Sequence, residues 1–121
     1  MAGEQPETRI YFNPKCSTCR SVDGVLKEHG IDAEYVRYLD DAPDRIELQG
    51  LMMLLGIKDP REMMRRKEPI YSELDLDAAD PETLLAAISK HPVLLERPIL
   101  VRGRRAVIAR PPERALELLD D

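Results

Sequence analysis

The sequence predicts an α/β domain: a mixed four-stranded sheet flanked by helices, with a helical insertion in its middle. Three observations carry that expectation. A strand–helix–strand pattern opens the chain, with its two cysteines, Cys16 and Cys19, at the first turn. Helix start signals then fill residues 43–90. Two short apolar runs joined by a glycine turn, and one more helix, close the chain.

Taken in order, residues 1–7 are polar and patternless and read as a loose tail. Residues 8–12 read as a strand, and residues 18–29 as a helix whose Val22, Val25 and Leu26 fall at i, i+3 and i+4 before Gly30 stops it. Residues 33–38 hold Tyr35, Val36 and Tyr38, which favour a second strand, and strand–helix–strand at this length implies a right-handed parallel unit. Pro43 is expected as a first helical residue ahead of an apolar stretch over 46–55. Asp59-Pro60 and Asp80-Pro81 each combine an Asp cap with proline at the first helical position. Met52, Met53, Met63 and Met64 are read as core filler. Residues 99–101 and 106–109, separated by Arg102-Gly103-Arg104-Arg105, read as a hairpin, and Pro111-Pro112-Glu113 as the start of a last helix. This order suits the thioredoxin-like plan with an insertion.

At 121 residues the chain is expected to form one domain, 1–121, whose core needs no disulfide staple. No apolar run suits a transmembrane helix and no leader precedes the first strand, so a cytoplasmic location is expected. In that reducing setting a Cys-x-x-Cys is more often catalytic than structural. The net charge of −5 argues against nucleic acid and membrane surfaces as partners. Yet arginines cluster at Arg61, Arg65 and Arg66, and again at Arg97, Arg102, Arg104, Arg105, Arg110 and Arg114. Such groups suit a small anion.

The chemistry concentrates at Cys16. In a strand-to-helix turn its sulfur meets unpaired backbone N–H groups and the positive end of the helix dipole, which stabilise a thiolate and lower its pKa. Zinc is a poor alternative: there is no second cysteine pair, and His29 and His91 lie far apart. A disulfide across so short a loop restrains little of the unfolded chain. Two inert buried thiols suit poorly with Pro14, Lys15, Ser17, Thr18 and Arg20 around them. Redox or nucleophilic thiol chemistry is expected. An oxyanion beside such a thiolate needs fixed positive groups, for which arginine's planar fork is suited. By position Arg65, Arg97 and Arg110 stand out, though patterning does not lift them above the other arginines.

The chain resembles the glutaredoxin-coupled arsenate reductase family, the ArsC family, over most of its length. The likeness lies in Tyr11-Phe12-Asn13-Pro14-Lys15-Cys16 with Arg20, and in Met63-Met64-Arg65-Arg66-Lys67 with Glu68 and Tyr71. It continues in His91-Pro92-Val93-Leu94-Leu95-Glu96-Arg97-Pro98-Ile99 and in Arg110-Pro111-Pro112-Glu113. The resemblance implies a thioredoxin-like fold with a helical insertion, a nucleophile at Cys16, and an oxyanion triad of Arg65, Arg97 and Arg110, with Arg20 beside the thiol. It implies a cis peptide before Pro98. It further implies arsenate as substrate, reduced through a Cys16 adduct that glutathione resolves. The resulting mixed disulfide is reopened by glutaredoxin, with no bound metal or organic cofactor.

Two positions depart from the family pattern. Phe12 stands where the best-studied members carry a histidine, and Cys19 where they carry another residue. Cys19 suits an internal resolving thiol, which would favour thioredoxin as reductant, or else a small buried helix residue. The superfamily also holds Spx-type regulators, which bind RNA polymerase through a Cys-x-x-Cys switch, and related thiol reductases with other substrates. Both are competing expectations.

Overall fold

The computed structural model describes residues 7–119. Most of the tail expected over residues 1–7 lies outside them. Glu7 does not: its carbonyl accepts the Gly103 N–H at 3.0 Å. The described chain forms two compact units, one of residues 7–37 with 97–119 and one of residues 38–96.

The first unit holds a four-stranded mixed sheet in the order β2-β1-β3-β4. Its strands are β1 (Thr8–Tyr11), β2 (Glu34–Val36), β3 (Ile99–Arg102) and β4 (Arg105–Ile108). β1 runs parallel to β2 and antiparallel to β3, and β3 runs antiparallel to β4. The parallel pair needs a crossover, which α1 (Ser17–Glu28) supplies. This is the thioredoxin-like arrangement expected from the element order.

Register explains the core. Ile10 pairs with Leu100, and Leu100 with Val107, so the three side chains form one row across the sheet. Val22 and Leu26 of α1, with Ala109, Ala115 and Leu118, complete that buried cluster. At about 25 cal/mol per Å² of apolar surface removed from water, the isoleucine, leucine and valine side chains of this cluster each contribute roughly 1.5–3 kcal/mol. The helix stops as expected: Gly30 takes a left-handed φ of 66°, and the Ile31 N–H reaches back to the Leu26 carbonyl at 2.9 Å. Gly103, with a φ of 62°, opens the two-residue turn that joins β3 to β4.

Arg97–Pro98 is cis, as the family likeness implied, and Arg110–Pro111 is cis as well. The last helix is a 3-10 helix, Pro112–Leu118, rather than an α-helix. Prolines at 111 and 112 remove two N–H donors, and the segment closes with short-range bonds such as Arg114 N–H to the Pro111 carbonyl at 3.0 Å.

The second unit is helical: α2 (Arg45–Leu55), α3 (Pro69–Glu73) and α4 (Pro81–Lys90), with 3-10 helices at Pro60–Met63, Leu76–Ala78 and Pro92–Leu94. Pro43 does not begin α2. It is buried, and Asp44 caps the helix by accepting the Glu47 N–H at 2.8 Å. Asp59 and Asp80 are caps as expected, Asp80 accepting the Thr83 N–H at 2.8 Å, but Asp59 opens a 3-10 helix. Met63 and Met64 are core residues, whereas Met53 is 82% exposed and fills no core.

Candidate active site

The site begins with a turn. The Asn13 carbonyl accepts the Cys16 N–H at 2.9 Å, and the Asn13 side chain accepts the Lys15 N–H at 3.0 Å. Those two bonds bring the chain out of β1 so that Cys16 takes an extended conformation and becomes the cap of α1. Its sulfur does what a serine or aspartate oxygen does at other helix starts: Sγ accepts the Cys19 N–H, at 3.4 Å. Cys16 is 8% exposed and Cys19 is fully buried; both are free thiols.

The two sulfurs are driven apart in acidity. Burial by itself would raise the Cys16 pKa. The Cys19 backbone N–H, the Cys19 thiol, the charge of Arg97 and the Thr18 N–H together outweigh it, and the Cys16 thiol lies below its ordinary pKa. Cys19 is pushed up to about 12, chiefly by burial, then by its hydrogen bond to Cys16 and the charge on that sulfur. The pair is therefore split: Cys16 gives up its proton more readily than an ordinary thiol and Cys19 less readily, the division that a nucleophile requires.

Arg97, immediately before Pro98, supplies the positive charge acting on both sulfurs. Its Nε is buried and has no hydrogen-bond partner. Its carbonyl accepts the Arg110 guanidinium at 3.2 Å, which places Arg110 against the same backbone. Arg20 is exposed on α1 and donates to the Pro14 carbonyl at 2.9 Å, bracing the turn. Phe12 packs edge-on against Tyr35, with ring centroids 5.3 Å apart, and Tyr35 donates to Asp23.

Arg65 belongs to the helical unit. Its N–H donates to the Leu94 carbonyl at 2.7 Å, and the Glu96 N–H donates to the Met63 carbonyl at 2.9 Å, so two of the motifs lie side by side as a short antiparallel strip. The Arg65 guanidinium pairs with Glu68 at 2.8 Å. Several other arginines of the two sequence clusters have structural partners. Arg61 binds backbone carbonyls, Arg102 donates to Thr8, Arg105 donates to the Glu117 carbonyl, and Arg114 pairs with Glu117. Sequence reading missed the unsatisfied Arg97 Nε, because no residue near it in sequence signals which donors are left over. Among the described residues no three His, Cys, Asp or Glu side chains gather where a metal ion would bind, and no helix is long and apolar enough to cross a membrane.

A mixed four-stranded sheet in this order, with the helix that follows its first strand capped by the Cys16 sulfur, defines a protein of the thioredoxin-like class. A model of the ArsC family matches residues 11–118. An arsenate reductase of Neisseria meningitidis is 46% identical over 110 residues, covering 89% of this chain and 94% of that protein. The uncharacterized protein YfgD of Escherichia coli K12 is 42% identical over 115 residues, covering 93% and 97%. A solved arsenate reductase from Vibrio cholerae superposes with a TM-score of 0.90 at 40% identity, over 95% of this chain and 99% of that one. The chain belongs to the ArsC family.

Proposed function

We propose that this chain is an arsenate reductase, a thiol-dependent oxidoreductase with Cys16 as its nucleophile. The observation that carries the reading is the acidified Cys16 sulfur at the helix cap, under the charge of an arginine whose buried Nε lacks a partner. An unsatisfied buried N–H is costly, and an oxyanion would satisfy it. The arsenate reductases among its relatives support arsenate as that oxyanion.

In this reading Arg65, Arg97 and Arg110 hold arsenate, and Arg20 adds positive charge near the thiol. The Cys16 thiolate attacks arsenic, a sulfur–arsenic bond forms, and one oxygen leaves as water after taking up protons. Glutathione then attacks the Cys16 sulfur. The electron pair of the sulfur–arsenic bond stays on arsenic, which becomes As(III) and leaves as arsenite. A Cys16–glutathione disulfide remains for glutaredoxin, or a thioredoxin, to reopen. The protein supplies thiolate, charge and geometry; external thiols supply the electrons, and no bound cofactor takes part. A reducing cytoplasm suits this chemistry.

The test is steady-state arsenate reduction by the purified protein, with glutathione plus glutaredoxin in one arm and thioredoxin plus its reductase in the other. Cys16→Ser is the blank. Turnover above the blank is expected. Its absence in both arms, from protein whose Cys16 still reacts with a thiol probe, would transfer the assignment to another oxidised substrate or to an Spx-type redox regulator.

A further inference from the structure

Met53, which fills no core, belongs to a line of residues on α2 that the chain's own packing leaves bare. At about 100° per residue, Ile46, Gly50 and Met53 fall on the side of α2 opposite Leu48 and Leu51, which bury it. Ile46 is 74% exposed and Met53 82%, more than any other exposed large apolar residue described. Gly50 sits between them. A Cβ there would meet no atom within 4 Å beyond its own helix backbone, so no neighbour in the chain calls for glycine, a poor residue for a helix interior. Beside this stripe runs a groove of about 380 Å³ whose apolar lining includes Met52, Met53, Ile57 and Leu85. Single exposed apolar side chains are ordinary, whereas an apolar stripe continuous with an apolar groove suits a surface that another molecule covers. We propose that the face of α2 carrying Ile46, Gly50 and Met53 is a self-association surface, on which a second copy of this chain docks with its own α2 antiparallel.

The occupant follows from how the two ends of this face differ. Ile46 is a projecting side chain at the N-terminal end, and the groove beside Met53 is a hollow at the C-terminal end, about two turns away. Two such helices, set antiparallel about an axis between Gln49 and Gly50, place each Ile46 against the Met53 and the groove of the other copy. Gly50, without a side chain on either helix, lets the backbones approach where they cross. Gln49 is exposed beside the axis, and its amide both donates and accepts, so it can pair with the same residue of the other copy. A two-fold interface requires this self-complementarity, in which one residue meets a second and the second meets the first.

Charge selects the same arrangement. Asp40, Asp41 and Asp44 precede the helix and are exposed, whereas the groove at the other end is flanked by Lys58. Lys58 makes no ion pair among the described residues. Asp59, next to it in sequence, is held by Arg61, and Glu82, in the lining of the groove, is held by Arg45. Antiparallel docking brings the acidic end of one copy to the Lys58 of the other and opposes the two helix dipoles. Parallel docking would set acid against acid and Ile46 against Ile46. The inference does not depend on the reaction proposed for Cys16.

The test is sedimentation of the full-length protein over a concentration series, with a phosphine reductant present so that no disulfide links the copies. The wild type is expected to pass from one copy to two as concentration rises. Ile46→Glu alone and Met53→Lys alone should each weaken association about 100-fold, because one substitution enters a two-fold interface twice and sets a charge against an apolar side chain. An equimolar mixture of the two variants should pair again, since the Ile46→Glu side chain of one copy then meets the Met53→Lys side chain of the other. A wild type that stays single up to about 1 mM would overturn the proposal. So would a dimer that both substitutions leave intact, or a mixture of folded variants that fails to pair. Both side chains are exposed in the single copy, so the circular dichroism spectra should be unchanged. Should either variant misfold, Gly50→Leu decides: it favours the helix and should raise the melting temperature of the single copy while weakening association, opposite effects that a purely structural glycine would not give. Association as strong as that of the wild type in Gly50→Leu would overturn the crossing.

Discussion

The loop around Arg61 and the turn around Cys16 both hold a partly buried arginine, and they use it in opposite ways. Arg61 donates from one nitrogen to the carbonyls of Leu76, Ala79 and Asp77, at 2.8, 2.6 and 3.1 Å, and pairs with Asp59 at 3.3 Å. Tyr71 closes the same loop by donating to Asp77 at 2.7 Å. Arg97 leaves its buried Nε without a partner. Buried polar groups are ordinarily satisfied, because an unmade hydrogen bond costs about 1–3 kcal/mol. Arg61 is therefore a structural arginine that holds a loop of carbonyls, whereas Arg97 keeps the unsatisfied N–H on which its proposed oxyanion role rests.

The variant expected to have the largest effect is Cys16→Ser, which should abolish turnover while leaving the melting curve close to that of the wild type. A hydroxyl still caps the helix but is not ionised at neutral pH. Residual activity in a reductase assay would remove Cys16 from the chemistry.

Arg97→Lys comes next. It keeps the charge and loses the fork, so anion binding should weaken by about 10- to 100-fold, the scale of one or two charge-assisted hydrogen bonds. An unchanged KM for arsenate would count against the contrast drawn with Arg61. The same residue sharpens the comparison through pH. Cys16 alkylation should follow a profile whose midpoint lies below that of an ordinary thiol, the rate falling as pH drops through it and the thiolate is protonated. Arg97→Gln removes one of the lowering causes and should move that midpoint upward. A midpoint that stays in place would show that the helix cap alone sets it.

Arg61→Lys should act on stability rather than catalysis, because an ammonium cannot serve the spread of carbonyls that the guanidinium reaches. A lower urea midpoint with kcat retained is the expected result; loss of kcat at an unchanged midpoint would reverse the contrast. The smallest effect is assigned to Asp44→Ala, which removes an exposed cap from α2 and should cost about 1 kcal/mol in the same titration.

Much of the fold was legible because its signals are local. Asp80-Pro81 is a cap and a first helical residue whatever surrounds it, and Gly30 and Gly103 adopt the positive φ that few other residues tolerate. The lowered pKa of Cys16 was legible for the same reason, since it draws on N–H groups only two and three residues away. The misreadings have longer-range causes. Pro43 was expected inside a helix that Asp44 caps, and Met53 was expected in a core that α2 builds from Leu48 and Leu51 on another of its faces.

The sequence by itself determined the order of the strands, most of the helix caps and turns, and the place of Cys16 at the start of α1. Each depends on hydrogen bonds and side-chain spacing within a few residues. Only the tertiary structure decided which arginines are satisfied by protein partners. Arg61 finds its carbonyls about fifteen residues away, and Arg97 meets Cys16 from the far end of the chain. Nothing adjacent to either residue records that difference. Satisfaction of a guanidinium is a property of the folded surroundings, and the chain must close on itself before one arginine becomes a strut and the other keeps a buried N–H without a partner.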